Sequence, residues 1–152
     1  MRPIMLLILK RHHRNETTYD GRIYIRGQFV CDTVEHCRSA LPVGTYLLVK
    51  GVCKAHMKQI FFIQPPLPKL CEGCMLETSE SLNQRLFCRT PMLKPGNGAY
   101  RQDDRGIRIG QRLIPGCLIQ PNSHFKRLSN RLSKALKRQE ELLFTIVEEL
   151  QP

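Results

Sequence analysis

Cys71 and Cys74 form a C-x-x-C, the spacing by which one turn of chain presents two thiolates to a Zn²⁺ ion or to each other. Cys53, His56 and Cys88 offer further donors that would complete a tetrahedral set, but no second C-x-x-C and no H-x-x-x-H accompanies them. For Cys71, Cys74 and Cys88 three readings stay open: zinc ligands, a redox pair, or unpaired thiols. Two basic groups carry a different chemistry. Arg11 and Arg14 flank His12 and His13, and the segment from Lys126 to Arg138 holds Lys126, Arg127, Arg131, Lys134, Lys137 and Arg138 without one acid. Cations gathered in this way suit phosphate or other anionic groups, whereas a helix laced by balanced ion pairs interleaves its acids.

The whole chain carries the same bias. It has 24 Lys and Arg against 13 Asp and Glu, a formal charge of +11. Such a surplus favours anionic partners such as nucleic acid, acidic lipid or cell-wall polymer, and it also describes a merely solvated basic surface. No RNA-recognition aromatic pair, zinc-finger repeat or G-x-x-x-x-G-K motif narrows the choice. Beyond the possible zinc, no cofactor is indicated. The seven cysteines are odd in number, which argues against a full disulfide framework, and Cys31 in a strand pattern reads as a small buried hydrophobe.

A length of 152 residues suits one domain over 1–152, enough to bury roughly two-thirds of the surface that the unfolded chain exposes. The apolar run Ile4–Leu9 is too short for a secretory core or a membrane span, so it reads as a strand. The expectation is synthesis in the cytoplasm without a self-contained export signal, any delivery to the envelope relying on another system.

Positioning elements follow from the periodicity. Arg22–Arg26 and Gln28–Glu35 alternate apolar and polar residues about Gly27, which predicts a hairpin with Phe29, Cys31 and Thr33 on one face. Strands are expected at Thr45–Lys50 and Gln59–Gln64, and Pro65, Pro66 and Pro68 stop the sheet there. Residues 65–105, rich in Cys and Pro, read as an irregular insertion over the sheet. Gly106–Ile109 is a strand that Gly110 ends, and Ile114–Gln120 is another. From Pro121, the residues Phe125, Leu128, Leu132, Ala135 and Leu136 recur at helical spacing, and Leu142–Val147 reads as a last strand in preference to more helix. The fold class is therefore α+β: mainly antiparallel sheet, curled or two-layered, with one basic amphipathic helix near the C-terminus.

Three stretches in order, GRIYIRGQFVCDTVE (Gly21–Glu35), LPVGTY (Leu41–Tyr46) and GIRIG with IPGCLI and NSHFKRL (Gly106–Leu128), resemble the family catalogued as domain of unknown function 5675, small bacterial and phage-borne proteins. That family is in turn similar, more weakly, to the L,D-transpeptidase fold of cell-wall enzymes. The resemblance implies a Cys nucleophile attacking a peptide amide, a His that takes its proton, and backbone donors for the oxyanion. Gly116 and Cys117 match the nucleophile step. Pro115 stands where those enzymes place a His before the glycine, and Gly110 where the family has a His after its GIRI strand. His124, seven residues beyond Cys117 at a helix start, is the one imidazole near it in sequence, and the helix dipole there would favour a thiolate. Two functions follow as expectations. One is an L,D-transpeptidase-like cell-wall domain of phage, mobile-element or effector type, degenerate at its His positions and addressing peptidoglycan or another anionic polymer. The other is a non-enzymatic basic protein that contacts nucleic acid or a larger assembly.

Overall fold

In a computed structural model of the chain, residues 2–53, 58–64, 74–76, 91–100 and 104–151 are described. Along these residues run β1 (Ile4–Arg14), β2 (Thr18–Ile25), β3 (Gln28–His36), β4 (Gly44–Cys53), β5 (Lys58–Gln64), β6 (Cys74–Leu76), β7 (Met92–Pro95), β8 (Gly106–Ile114), β9 (Cys117–Ile119), α1 (Pro121–Lys137) and β10 (Glu141–Glu148). Eight of the strands close on themselves in the order β10-β1-β2-β3-β8-β7-β5-β4, with β4 returning to β10. The β1–β10 and β7–β8 contacts are parallel and the other ladders of the ring antiparallel. β6 extends the far end of β4, and β9 folds back on the end of β8.

The curled, mainly antiparallel sheet and the late basic helix are thus present, but the α+β, two-layered form is not. The fold is mainly β, a closed barrel. β10 decides this, because β1 takes one of its edges and β4 the other, leaving no free edge for a second layer to cover. The expected strand at Leu142–Val147 is therefore the closing stave.

Alternation fills the interior. Met5, Leu7 and Leu9 of β1 point inward beside Leu142, Phe144 and Ile146 of β10, their register partners, and Ile23 and Ile25 of β2 continue the layer. Phe125, Leu128, Leu132 and Ala135 of α1 belong to the same apolar cluster. The helix packs on β7, β8 and β10 and lies against Phe29 and Val30, so it caps the barrel end that carries the β2–β3 turn. Each of its three large apolar side chains contributes about 1.5–3 kcal/mol by burial. At the helix end, Gln139 takes a left-handed φ of 62°, and the amides of Gln139 and Glu140 donate to Leu136 O and Ala135 O. This closing pattern satisfies the last carbonyls and turns the chain into β10.

Two bulges re-aim side chains. Arg11 faces the interior in step with Met5, Leu7 and Leu9, and between Arg11 and His13 the β1–β2 register slips at His12, so that His13 sits opposite Asp20 on the outer face. Between Ile23 and Tyr24 the β2–β3 register slips at Val30. Cys31 stays inside, but Phe29 is 54% exposed, so the expected common face of Phe29 and Cys31 is not formed.

Other boundaries move as well. Residues 92–95, expected within an irregular insertion, are the stave β7, whose Leu93 packs inside beside Ile107 of β8. Gly110 does not end its strand: β8 runs on to Ile114, turns at Pro115 and Gly116, and returns as the short β9, a hairpin lying over the outside of the barrel. Val34, Ala99 and Leu118 form a small second apolar cluster beneath it.

Candidate functional site

Cys117 opens β9 immediately after Gly116, whose φ of +80° suits glycine at this turn. The turn is tied to the barrel by Asp20, which is 1% exposed. The Gly116 amide donates to Asp20 Oδ1 at 2.8 Å, and the His13 ring, through Nδ1, faces Asp20 Oδ2 at 3.1 Å. Arg112 Nη2 stands 3.8 Å from the same oxygen, and the Arg112 amide donates to Asp32 Oδ2 at 2.8 Å. Alongside, the buried His12 Nε2 has no hydrogen-bond partner among the described residues. Burial, then the charges of Arg22 and Arg112, hold the His12 pKa below its ordinary value against the pull of Asp20 and Asp32.

This arrangement bears on each expected catalytic residue. Gly116 is not a free oxyanion donor, since its N–H is engaged by a buried carboxylate. Cys117 is half-buried, and its thiol makes no hydrogen bond among the described residues. His124 lies elsewhere, in the first turn of α1 against Phe29 and Val30, where Arg127 Nη2 donates to its Nδ1 at 3.2 Å. Burial and the Arg127 charge keep the His124 pKa low. The structure therefore does not bring Cys117 and His124 together. The place of the missing His is also occupied: a Cβ added at Gly110 would meet Leu118 Cβ at 2.9 Å and Ile119 O at 3.1 Å, both on β9.

The expected anion-binding residues divide into two groups. Arg11 is 2% exposed inside the barrel, donating to Glu35 at 2.7 and 3.0 Å, to Leu41 O at 2.7 Å and to Glu148 at 3.4 Å. It is a structural cation, turned inward by the register of β1, and it is not presented to a polymer. Arg14 is exposed, its guanidinium 5.3 Å from the Tyr19 ring centre. Lys126, Arg127 and Lys134 are exposed on α1, with Arg131 half-buried beside them. None of these four has a carboxylate within ion-pair distance among the described residues, whereas Arg138 is paired with Glu140 at 2.7 Å. Along the flank of α1 runs a groove of about 210 Å³ lined by Phe29, Val30, His124, Arg127, Leu128 and Arg131. Tyr24 meets Phe29 edge to face at 6.2 Å, and Lys10 Nζ lies 5.1 Å from the Tyr24 ring centre.

Of the proposed zinc donors, Cys71 and Cys88 lie outside the described residues. Cys74 is placed by its backbone alone, opposite Cys53 in the β4–β6 ladder. Among the described residues no group of three or more His, Cys, Asp or Glu is gathered for a metal ion. No described helix is long and apolar enough to cross a membrane.

Sequence reasoning missed Asp20, His13 and Phe29. Asp20 sits in a stretch that reads as a turn-rich link, and the other two depend on bulges, which alternation does not announce. The exposed aromatic next to a basic helix was the one available signal, and it is masked by the regular spacing of Phe29 and Cys31. No protein-family model, curated protein or solved structure matches the chain.

Proposed function

We propose that this protein binds an anionic polymer through the outer face of α1 and does not turn over peptide substrates, on a scaffold similar to the L,D-transpeptidase-like domains of phage, mobile-element or effector type. One contrast carries the reading. The buried cations are matched, Arg11 with Glu35 and Arg108 and Lys94 with Asp104, and so is Arg22 with Asp32. Lys126, Arg127, Arg131 and Lys134 have no such partner among the described residues, and like charges held together on one helix oppose folding unless a counter-charge meets them. The test is retention on immobilised polyphosphate at several salt concentrations. Wild-type protein should show a steep loss of affinity with salt, and alanine at all four positions should lower the logarithmic slope by about three to four. An unchanged slope would sink the reading.

A second reading, a Cys-dependent cell-wall enzyme, rests on the Asp20 carboxylate that holds both the Gly116 amide and the His13 ring beside Cys117. In it, His13 would accept the thiol proton, the thiolate would add to a stem-peptide carbonyl, and the proton would pass to the departing amine. Release of terminal D-Ala that is lost in both Cys117→Ala and His13→Ala would establish it, and with it the enzymatic assignment over the binding one.

A further inference from the structure

We infer that the groove between α1 and the β2–β3 hairpin takes single-stranded nucleic acid, a base stacking on Phe29 while Arg127 and Arg131 hold the adjoining phosphates. The inference rests on the reading that α1 meets an anionic polymer and adds which polymer. Phe29 is the distinguishing residue. The bulge at Val30 turns a large apolar ring out of the barrel and leaves it 54% exposed, in a wall whose other side carries two guanidinium groups. An anionic polymer without rings, such as polyphosphate or a teichoic-acid-like chain, uses the cations and has no use for the ring. A nucleic acid strand uses both, because every base offers a face for stacking and every link a phosphate.

The size and surroundings fit one base. At about 210 Å³ the groove is smaller than the roughly 300–1,000 Å³ clefts that enclose a drug-sized ligand, and it is flanked by surface rather than sealed. Next to it, Tyr24 stands edge-on to Phe29 and Lys10 lies over the Tyr24 ring, so aromatic and cationic groups alternate from α1 across the outside of β3, β2 and β1. His124 lines the groove beside Arg127, whose Nη2 donates to its Nδ1. A duplex would contact the cations but keep its base faces stacked inside, out of reach of Phe29.

The experiment measures fluorescence anisotropy of labelled oligonucleotides about a dozen residues long, both DNA and RNA, with unlabelled polyphosphate, duplex DNA and peptidoglycan fragments as competitors. Single strands should bind more tightly than the duplex. Phe29→Ala should weaken single-strand binding about tenfold while leaving polyphosphate binding within about twofold of wild type, and Phe29→Trp should retain or improve it. Arg127→Ala with Arg131→Ala should weaken every polyanion. Because the Phe29 ring is largely exposed, its loss should leave the far-ultraviolet spectrum and melting temperature unchanged. The inference is overturned if Phe29→Ala has no effect, if it weakens polyphosphate equally, or if peptidoglycan displaces the oligonucleotide at lower concentration than any nucleic acid. Salt-dependent binding of single strands that ignores Phe29 would defeat this inference alone; absence of salt-dependent binding to any polyanion would defeat the reading beneath it.

Discussion

Glu35→Gln should be among the most damaging conservative changes in the protein. Arg11 and Glu35 are 2% exposed each and face one another inside the barrel, with two bonds of 2.7 and 3.0 Å between guanidinium and carboxylate. Burial alone would lower the Arg11 pKa, but the bonds and charge of Glu35, with Tyr19 and Glu148, carry it above the ordinary guanidinium value. The amide of Gln keeps the shape and an acceptor but not the charge, leaving the guanidinium with Glu148, at 3.4 Å and partly exposed, as its remaining counter-ion. Breaking a buried pair from one side costs about 3–5 kcal/mol, and Glu148 places this case near the lower end, about 3 kcal/mol. For a domain of this size each kcal/mol lowers the melting temperature by about 2–4 °C, so a fall of about 6–12 °C is expected in thermal denaturation at neutral pH. Arg11→Met with Glu35→Leu removes both charges and should recover at least half of that loss, the shortfall arising from Leu41 O, which loses its donor. A Glu35→Gln protein that melts with wild type would refute the reasoning, as would a double variant no more stable than Arg11→Met. Arg11→Met should also leave polyphosphate retention unchanged, since the inward guanidinium meets no polymer; a drop in retention without a drop in melting temperature would return Arg11 to the binding surface.

Three other perturbations address the site and its supports. Gly110→His, which restores the imidazole of the resembling family, should lower the melting temperature by more than about 5 °C and confer no D-Ala release, because β9 stands where the side chain would go; a stable, active Gly110→His protein would contradict this. Burial alone would raise the Asp104 pKa, but the Lys94 bond and the Arg108 charge hold it below the ordinary carboxylate value. Its contribution is therefore complete above the unfolded pKa of about 3.9 and lost as pH falls through the lower folded value, so Asp104→Asn should destabilise at pH 7 and flatten the acid limb of the stability curve. With the His12 pKa depressed, the unfolded chain takes up that proton first: stability is undiminished above about pH 6.5 and declines as pH falls from there towards the folded pKa. His12→Gln should remove part of the decline between about pH 7 and 5, and an identical profile in wild type and variant would exclude His12 as its source.

Much of the barrel was legible because each of its principal strands carries its own signal. Period-two apolar spacing marks β2 and β3, short apolar runs mark β1 and β10, and residues 26 and 27, both in left-handed conformations, make the expected two-residue turn. The helix was legible from Phe125, Leu128, Leu132 and Ala135, whose buried stripe the structure reproduces. Closure was not, because it depends on β10 meeting β1 in parallel from the opposite end of the chain, and no local pattern encodes such a pairing. β7 was hidden by brevity: four residues beginning Met-Leu and ending in Lys-Pro lack a period, and only β5 and β8 on either side make them a strand. For the site, the basic face of α1 could be read directly, but the fate of Arg11 could not. Arg11 and Arg14 look alike in sequence, and both guanidinium groups stand over the Tyr19 ring, but only Arg11, one turn of the ladder deeper, reaches Glu35.

The same distinction governs Cys117. From sequence, the resemblance makes the domain look like an enzyme without its two imidazoles, a loss that restoring a histidine would repair. In the fold, the groups around the thiol are engaged in structural contacts. Leu118 and Ile119 press on the outer side of Gly110, so the hairpin packs through the volume that a side chain at this position would take. Asp20 gives one oxygen to the Gly116 amide, which fixes the turn that carries the thiol, and turns the other to the His13 ring. That amide would otherwise be a candidate donor to a developing oxyanion, so one bond both anchors the hairpin and withholds transition-state stabilisation. Lifting the β8–β9 hairpin from β1–β3 would expose Val34 and Leu118 and leave Asp20 without its amide donor. The outer face of α1 carries no comparable structural obligation among the described residues, which is why the binding reading is placed there and not at the cysteine.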